Sequence, residues 1–138
     1  ENVGSIIIGI DTSGSIGSAE LNQFLSEVRS ICEEVSPEAI DLLYWDTHVA
    51  QRETYTNNEL ASLTSETKPA GGGGTDPTCV PKFMNKHNIK GECLLMLTDG
   101  YIGHQDPSNY SSLGMPLLWC VKGNTSFESV VGKTVHVE

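Results

Sequence analysis

The sequence predicts a Rossmann-like, doubly wound α/β fold: a mostly parallel central sheet of about six strands, one antiparallel edge strand, and helices on both faces. Three observations predict it. Two short stretches, Ser5-Ile6-Ile7-Ile8-Gly9-Ile10 and Cys93-Leu94-Leu95-Met96-Leu97, are almost continuously apolar, as strands buried on both faces must be. After the first of them, Leu21, Phe24, Leu25, Val28, Ile31, Cys32 and Val35 recur at three- and four-residue spacing, which gives a helix one buried stripe. Strand-like and helix-like segments then alternate along the chain, the order that parallel strands joined by crossovers require.

The elements follow in turn. The first strand occupies residues 5–10. A Gly/Ser-rich turn leads to a helix from about Ser18, whose hydroxyl can cap it, with Glu20 favourably placed in the first turn. Pro37 stops this helix, because proline disfavours helical geometry in the residue before it. Residues 40–45 form a second strand and 46–48 a turn. Residues 50–55 alternate in polarity, as an edge strand antiparallel to the second would. Residues 58–63 form a short helix. The 68–76 loop contains four consecutive glycines, and Pro77 then suits the first position of a helix carrying Val80, Phe83 and Met84. Asn88 and Gly91 close it. A third buried strand covers 92–97. Residues 101–115 read as a polar loop or broken helix, 116–121 as a strand, 126–131 as a helical turn, and 133–137 as a terminal edge strand.

A chain of 138 residues suits one domain, 1–138, around one core. It begins at Glu1 rather than Met, which leaves room for a preceding leader or domain. No apolar run is long enough to cross a membrane. The formal charge of −10 repels phosphate backbones, so no nucleic-acid partner is expected. Cys32, Cys79, Cys93 and Cys120 show no metal-ligand spacing, and most fall in apolar patterns. They are expected to be free thiols in a reducing, cytoplasmic setting, and the domain is expected to be a monomer.

The chemistry concentrates where strands end. Asp11-Thr12-Ser13-Gly14-Ser15 follows the first buried strand, and Asp99 follows the third. In doubly wound sheets ligands bind outside the carboxyl ends of the strands, so both aspartates belong to one rim. Two carboxylates brought together repel unless a cation lies between them. Ser13 and Ser15 add neutral oxygens two residues apart. Thr75 follows the glycine run, whose residues permit close backbone approach. The donor set of Asp11, Ser13, Ser15, Thr75 and Asp99 is all oxygen. It suits Mg²⁺, with Mn²⁺ or Ca²⁺ as alternatives, and suits Zn²⁺ or copper poorly.

These residues resemble the metal-ion-dependent adhesion site of von Willebrand factor A (VWA) domains: a D-x-S-x-S motif, then a distant Thr, then a distant Asp. All five positions are filled in order. Ile10 to Ile16, Tyr44-Trp45-Asp46, Gly73-Gly74-Thr75-Asp76 and Pro116-Leu117-Leu118-Trp119-Cys120-Val121 are further similar to the VWA-like domain at the C-terminus of bacterial and phage proteins regarded as metallopeptidases. The resemblance implies that Ser13, Ser15 and Thr75 are direct metal ligands, and that Asp11 and Asp99 act directly or through water. It implies a binding module in the bacterial or phage-infected cytoplasm whose protein partner supplies an Asp or Glu carboxylate to the metal. An alternative is the substrate-presenting part of a hydrolase whose catalytic residues lie outside this chain. The chain contains no H-E-x-x-H, and no catalytic residue is expected in it.

Other readings fit less well. Asp-Thr-Ser-Gly-Ser nearly spells an aspartic-protease hairpin, but Ser13 spoils the spacing and the helix contradicts that all-β fold. A haloacid-dehalogenase nucleophile would need a carboxylate at Ser13. A Walker loop would need a Lys after the glycines. A receiver domain could use Lys122 but lacks the early acidic pair. His104 lies near the rim, yet a solvated loop histidine is the simpler reading; His48, His87 and His136 read as turn, helix-end and edge-strand residues. Asp46 and Asp76 are candidates for orienting the ligands, Asp76 equally for capping a helix. Tyr101, Ile102 and Tyr110 are candidate partner contacts, against the simpler reading that they pack their own loop.

Overall fold

The computed structural model describes residues 3–14, 16–56, 59 and 73–137. In chain order these form β1 (Val3–Asp11), α1 (Ser18–Val35), β2 (Pro37–Trp45), β3 (Val49–Thr56), α2 (Cys79–Lys86), β4 (Cys93–Thr98), β5 (Leu117–Lys122) and β6 (Lys133–Val137). The six strands make one sheet in the order β3-β2-β1-β4-β5-β6. Only the β2–β3 pairing is antiparallel. The fold is thus the mixed α/β sheet that the alternation of segments predicts.

Side chains alternate across the sheet because the strand period is two. Ile6, Ile8 and Ile10 of β1 point to one face and pack with Phe24, Leu25 and Val28 of α1. Ile7 points to the other and joins Leu43, Trp45, Trp119 and the α2 residues Val80 and Met84. Each fully buried side chain of this size contributes about 1.5–3 kcal/mol relative to exposure. The continuously apolar runs in the sequence are therefore the two half-cores written alternately.

Boundaries depart from expectation where local chemistry decides them. Gly17, not Ser18, is the N-cap of α1, and its N–H donates to Glu20 Oε1 at 3.0 Å. The helix ends at Ser36: its N–H still makes the helical bond to the Cys32 carbonyl at 2.9 Å, and its left-handed backbone (φ 51°) turns the chain out of the helix. β2 then starts at Pro37, three residues earlier than its apolar pattern suggests, at a strand's first position where proline is tolerated. Pro77 occupies a turn ahead of α2 rather than its first helical position. Residues 126–131 do not form the expected helical turn. Phe127 instead lies against Trp119, with ring centroids 5.9 Å apart, and the Ser129 N–H donates to Thr134 Oγ1. The 101–115 segment is a loop with one 3-10 turn, Pro107–Tyr110, capped by Asp106. Apart from Glu59, the expected 58–63 helix lies outside the described residues. Among the described residues no helix is long and apolar enough to cross a membrane.

Gly91 lets the connection into β4 press against β1. A Cβ there would lie 2.7 Å from the Ser5 carbonyl oxygen and would overlap the Ile7 terminal methyl. Gly91→Ala is accordingly expected to lower stability by about 1–3 kcal/mol, read as a lower urea midpoint with unchanged slope. All four cysteines are free. Burial pushes the thiol of Cys120 up to about 11 and that of Cys79 up to about 12, the latter with help from Asp76 and Asp46. Thiol titration at neutral pH is expected to be slow in the native protein and to count four only after denaturation without reductant.

Candidate metal centre

The chain leaves β1 for β2 on one side and returns to β4 on the other, so the strand order reverses beside β1. Such a reversal opens a crevice at the carboxyl ends of the strands. Asp11 is the last residue of β1, Thr98 the last of β4, and Asp99 follows it. Both Asp11 and Thr98 are fully buried, and Ser13 is 1% exposed.

One carboxylate organises this floor. Asp11 Oδ1 accepts from the Ser13 N–H at 2.9 Å and from the Ser13 hydroxyl at 2.6 Å. Its Oδ2 accepts from the Thr98 hydroxyl at 2.6 Å. The Thr98 oxygen in turn accepts from the Gly100 N–H at 3.2 Å, which ties down the loop after Asp99. Asp99 Oδ1 accepts from the Tyr101 N–H at 3.1 Å. Burial raises the pKa of Asp11; the bonds from Ser13 and Thr98 lower it by less, and the Asp99 charge raises it further. Thr98 carried no role in the sequence reading. The available signal was a hydroxyl closing a strand that is otherwise entirely apolar, Cys93-Leu94-Leu95-Met96-Leu97.

A second carboxylate secures the glycine loop. The Gly14 N–H donates to the Gly73 carbonyl at 2.9 Å, and the Gly73 N–H donates to Asp46 Oδ2 at 3.2 Å. A Cβ on Gly73 would meet that oxygen at 3.0 Å, so glycine permits the approach. The Asp76 N–H donates to the Asp46 carbonyl at 2.7 Å. Thr75 thus sits, half-buried, on a segment bonded to both the β1 loop and the β2 loop. Burial alone would raise Asp46, but the His48, Gly73 and Thr47 N–H groups and the neighbouring His48 ring outweigh it and hold its pKa below the ordinary range. Asp76 accepts from the Thr78 N–H and hydroxyl, so it shapes the turn into α2, whose N-cap is Thr78 itself.

Of the five expected ligands, Asp11 and Ser13 touch, Asp99 lies close enough to act on Asp11, and Thr75 lies on the adjoining loop. Ser15 lies outside the described residues. Among the described residues no three His, Cys, Asp or Glu side chains form a metal-binding group. The gathered donors are two aspartates with hydroxyls. A hydroxyl that donates its proton to a carboxylate still has lone pairs for a cation, so this chemistry fits a hard, oxygen-seeking metal. His104 is exposed on its loop. Tyr101 is 67% exposed, but Ile102 and Tyr110 are buried and are not surface contacts. Tyr110 packs edge-on against Trp119, and its hydroxyl donates to Gln105 at 2.7 Å.

A mostly parallel six-stranded sheet of this order, with helices packed on it and one antiparallel edge, is a Rossmann-like α/β fold. The VWA-like domain (DUF2201) family matches residues 6–138, and the chain belongs to that family. Membership marks it, in general terms, as a protein-interaction or presenting module. An uncharacterized protein of Thermotoga maritima is 32% identical over 92 residues, 67% of this chain. The chain spans 22% of that relative's length. Among solved structures, proximal thread matrix protein 1 of the mussel byssus superposes with a TM-score of 0.66 at 16% identity, over 88% of this chain and 36% of that one. The RO protein of Deinococcus radiodurans gives 0.59 at 12% identity, over 99% and 31%. At such identities these likenesses speak for the fold alone.

The raised pKa of Asp11 has a thermodynamic sign. Folding disfavours its ionised form, so in the metal-free domain its cost is absent at pH values below the ordinary Asp range. The cost grows as pH rises and is complete above the raised folded value. Denaturation in EDTA between pH 4 and 8 is expected to show Asp11→Asn gaining stability relative to the native sequence as pH rises.

Proposed function

We propose that this domain binds one divalent cation, Mg²⁺ foremost with Mn²⁺ or Ca²⁺ as substitutes, and through it recognises an Asp or Glu carboxylate of a protein partner. Ser13, Ser15 and Thr75 bind directly, and Asp11 and Asp99 directly or through water. The observation that carries this reading is the buried Asp11 carboxylate, held by Ser13 and Thr98 with a second aspartate nearby. A buried carboxylate costs free energy when ionised, and a neighbouring cation offsets that cost.

When bound, the cation supplies a positive centre that a partner carboxylate can meet with a short, charge-matched bond. The chain's own residues prepare for it. Asp11 holds the Ser13 hydroxyl in place, Asp46 and Gly14 hold the loop bearing Thr75, and Thr98 anchors the loop after Asp99. Three neutral hydroxyls and two aspartates leave room in a six-oxygen shell for an outside ligand. This chain performs no catalysis alone, acts as a monomer, and with its four free thiols suits a reducing cytoplasm. That it spans 22% of the Thermotoga relative supports a second reading, in which it presents substrate to catalytic residues elsewhere in a longer hydrolase. Cleavage of a captured partner by the full-length protein, and not by this domain, would distinguish the two.

Asp11→Ala and Asp99→Ala are each expected to weaken Mn²⁺ binding by about tenfold or more in calorimetry, with circular dichroism unchanged. Unaltered affinity in both variants would refute the site. Capture of a partner is expected to fail in EDTA and to return with Mg²⁺ or Mn²⁺.

A further inference from the structure

Beside the rim, the start of β3 and the outer side of α2 enclose an open groove of about 340 Å³. His48 and Val49 line one wall; Lys82, Phe83, Lys86 and His87 line the other. The deeper Cys79 thiol is held protonated by burial and by Asp76 and Asp46, so it adds apolar surface rather than a nucleophile. Among the described residues no Asp or Glu lines the groove, in a chain whose 18 acidic residues outnumber its 8 Lys and Arg. Both lysines are exposed, and among the described residues neither has an ion-pair partner. Phe83 and His87 lie with ring centroids 4.2 Å apart and their planes tilted by 38°, an aromatic step in the same wall as the two lysines.

The spacing selects an occupant. Lys82 and Lys86 lie four residues apart on one face of α2, about 6 Å along its axis. In an extended chain, alternate side chains share a face and repeat every 6.6–6.8 Å or so. We propose that this groove binds an extended acidic segment of a protein partner, in which two Asp or Glu residues separated by one residue meet Lys82 and Lys86, and a flanking apolar side chain rests on the Phe83–His87 step and Val49. Charge complementarity is local: the groove is basic, whereas the −10 of the whole chain repels a long phosphate backbone. The proposal rests on the groove alone and does not require a metal at Asp11. The groove does adjoin the metal rim, since the His48 ring lies 3.4 Å from Asp46, which holds the Gly73 loop.

A fluorescein-labelled peptide with two glutamates flanking one serine, followed by leucine, is the probe, read by anisotropy in EDTA at low salt. Saturable binding is expected, weakened at least about tenfold in the Lys82→Glu, Lys86→Glu double variant and in 0.5 M salt. A Gln-for-Glu peptide is expected to bind at least about tenfold more weakly. Both lysines are exposed and the urea midpoint checks folding. Lys82→Gln, Lys86→Gln serves as a second variant if charge reversal disturbs the α2 end, where Lys86 also complements the helix dipole. Failure to bind up to millimolar concentration, or equal binding by the double variants, would overturn the groove and leave the metal reading untouched. Tighter binding of a single-stranded oligonucleotide than of the peptide would also overturn it.

Discussion

The Asp11 carboxylate is the interaction on which the rest of the site depends. It lies fully buried at the end of the central strand, and all its observed donors come from groups that shape the rim. Ser13 donates twice and so bends the chain leaving β1. Thr98 donates from the adjacent β4, locking the two strand ends at one height. A charge in this place is expensive, and its raised pKa expresses that expense. A fold retains such a group stably only where hydrogen bonds, and in the proposed function a cation, compensate it.

The loops around this floor are held by backbone groups rather than by hydrophobic packing. Asp46 accepts N–H bonds from Thr47, His48 and Gly73, which keeps it ionised and draws the glycine loop toward the β2 end. The Gly14 N–H, from the β1 loop, adds a bond to the Gly73 carbonyl. Loops secured in this way place a hydroxyl such as Thr75 without covering it, which a packed apolar loop could not do. The aromatic residues of the 101–115 segment take the opposite role. Tyr110 turns inward onto Trp119 and Ile102 is buried, so the segment is pinned from beneath and presents Tyr101 outward.

The two faces of the sheet serve different ends. One is closed by the long α1, whose apolar stripe covers Ile6, Ile8 and Ile10. The other carries the short α2, which buries only Val80, Pro81 and Met84. Its remaining surface keeps Lys82, Lys86 and His87 in solvent next to the start of β3. The basic groove is therefore a product of a helix too short and too polar to seal its side of the sheet.

Much of this was legible in the sequence for one reason: burial on both faces leaves no choice but unbroken apolar strands, and periodicity of about 3.6 marks the helix that covers them. The motif Asp11-Thr12-Ser13 and the position of Asp99 after a buried strand likewise located the rim, since strand ends must lie at the edge of the core. Boundaries were less legible at Gly17, Pro37 and residues 126–131, where a single cap, a strand start or an aromatic contact outweighs local pattern. Tertiary structure alone decided that Thr98 bonds to Asp11, that Asp46 holds Gly73, that Ile102 and Tyr110 turn inward, and that His48 and Lys82 line one groove. These pairings join residues far apart in the chain, and no local propensity encodes which strand will lie beside which. The order β3-β2-β1-β4-β5-β6 does, and it follows from packing the whole sheet at once.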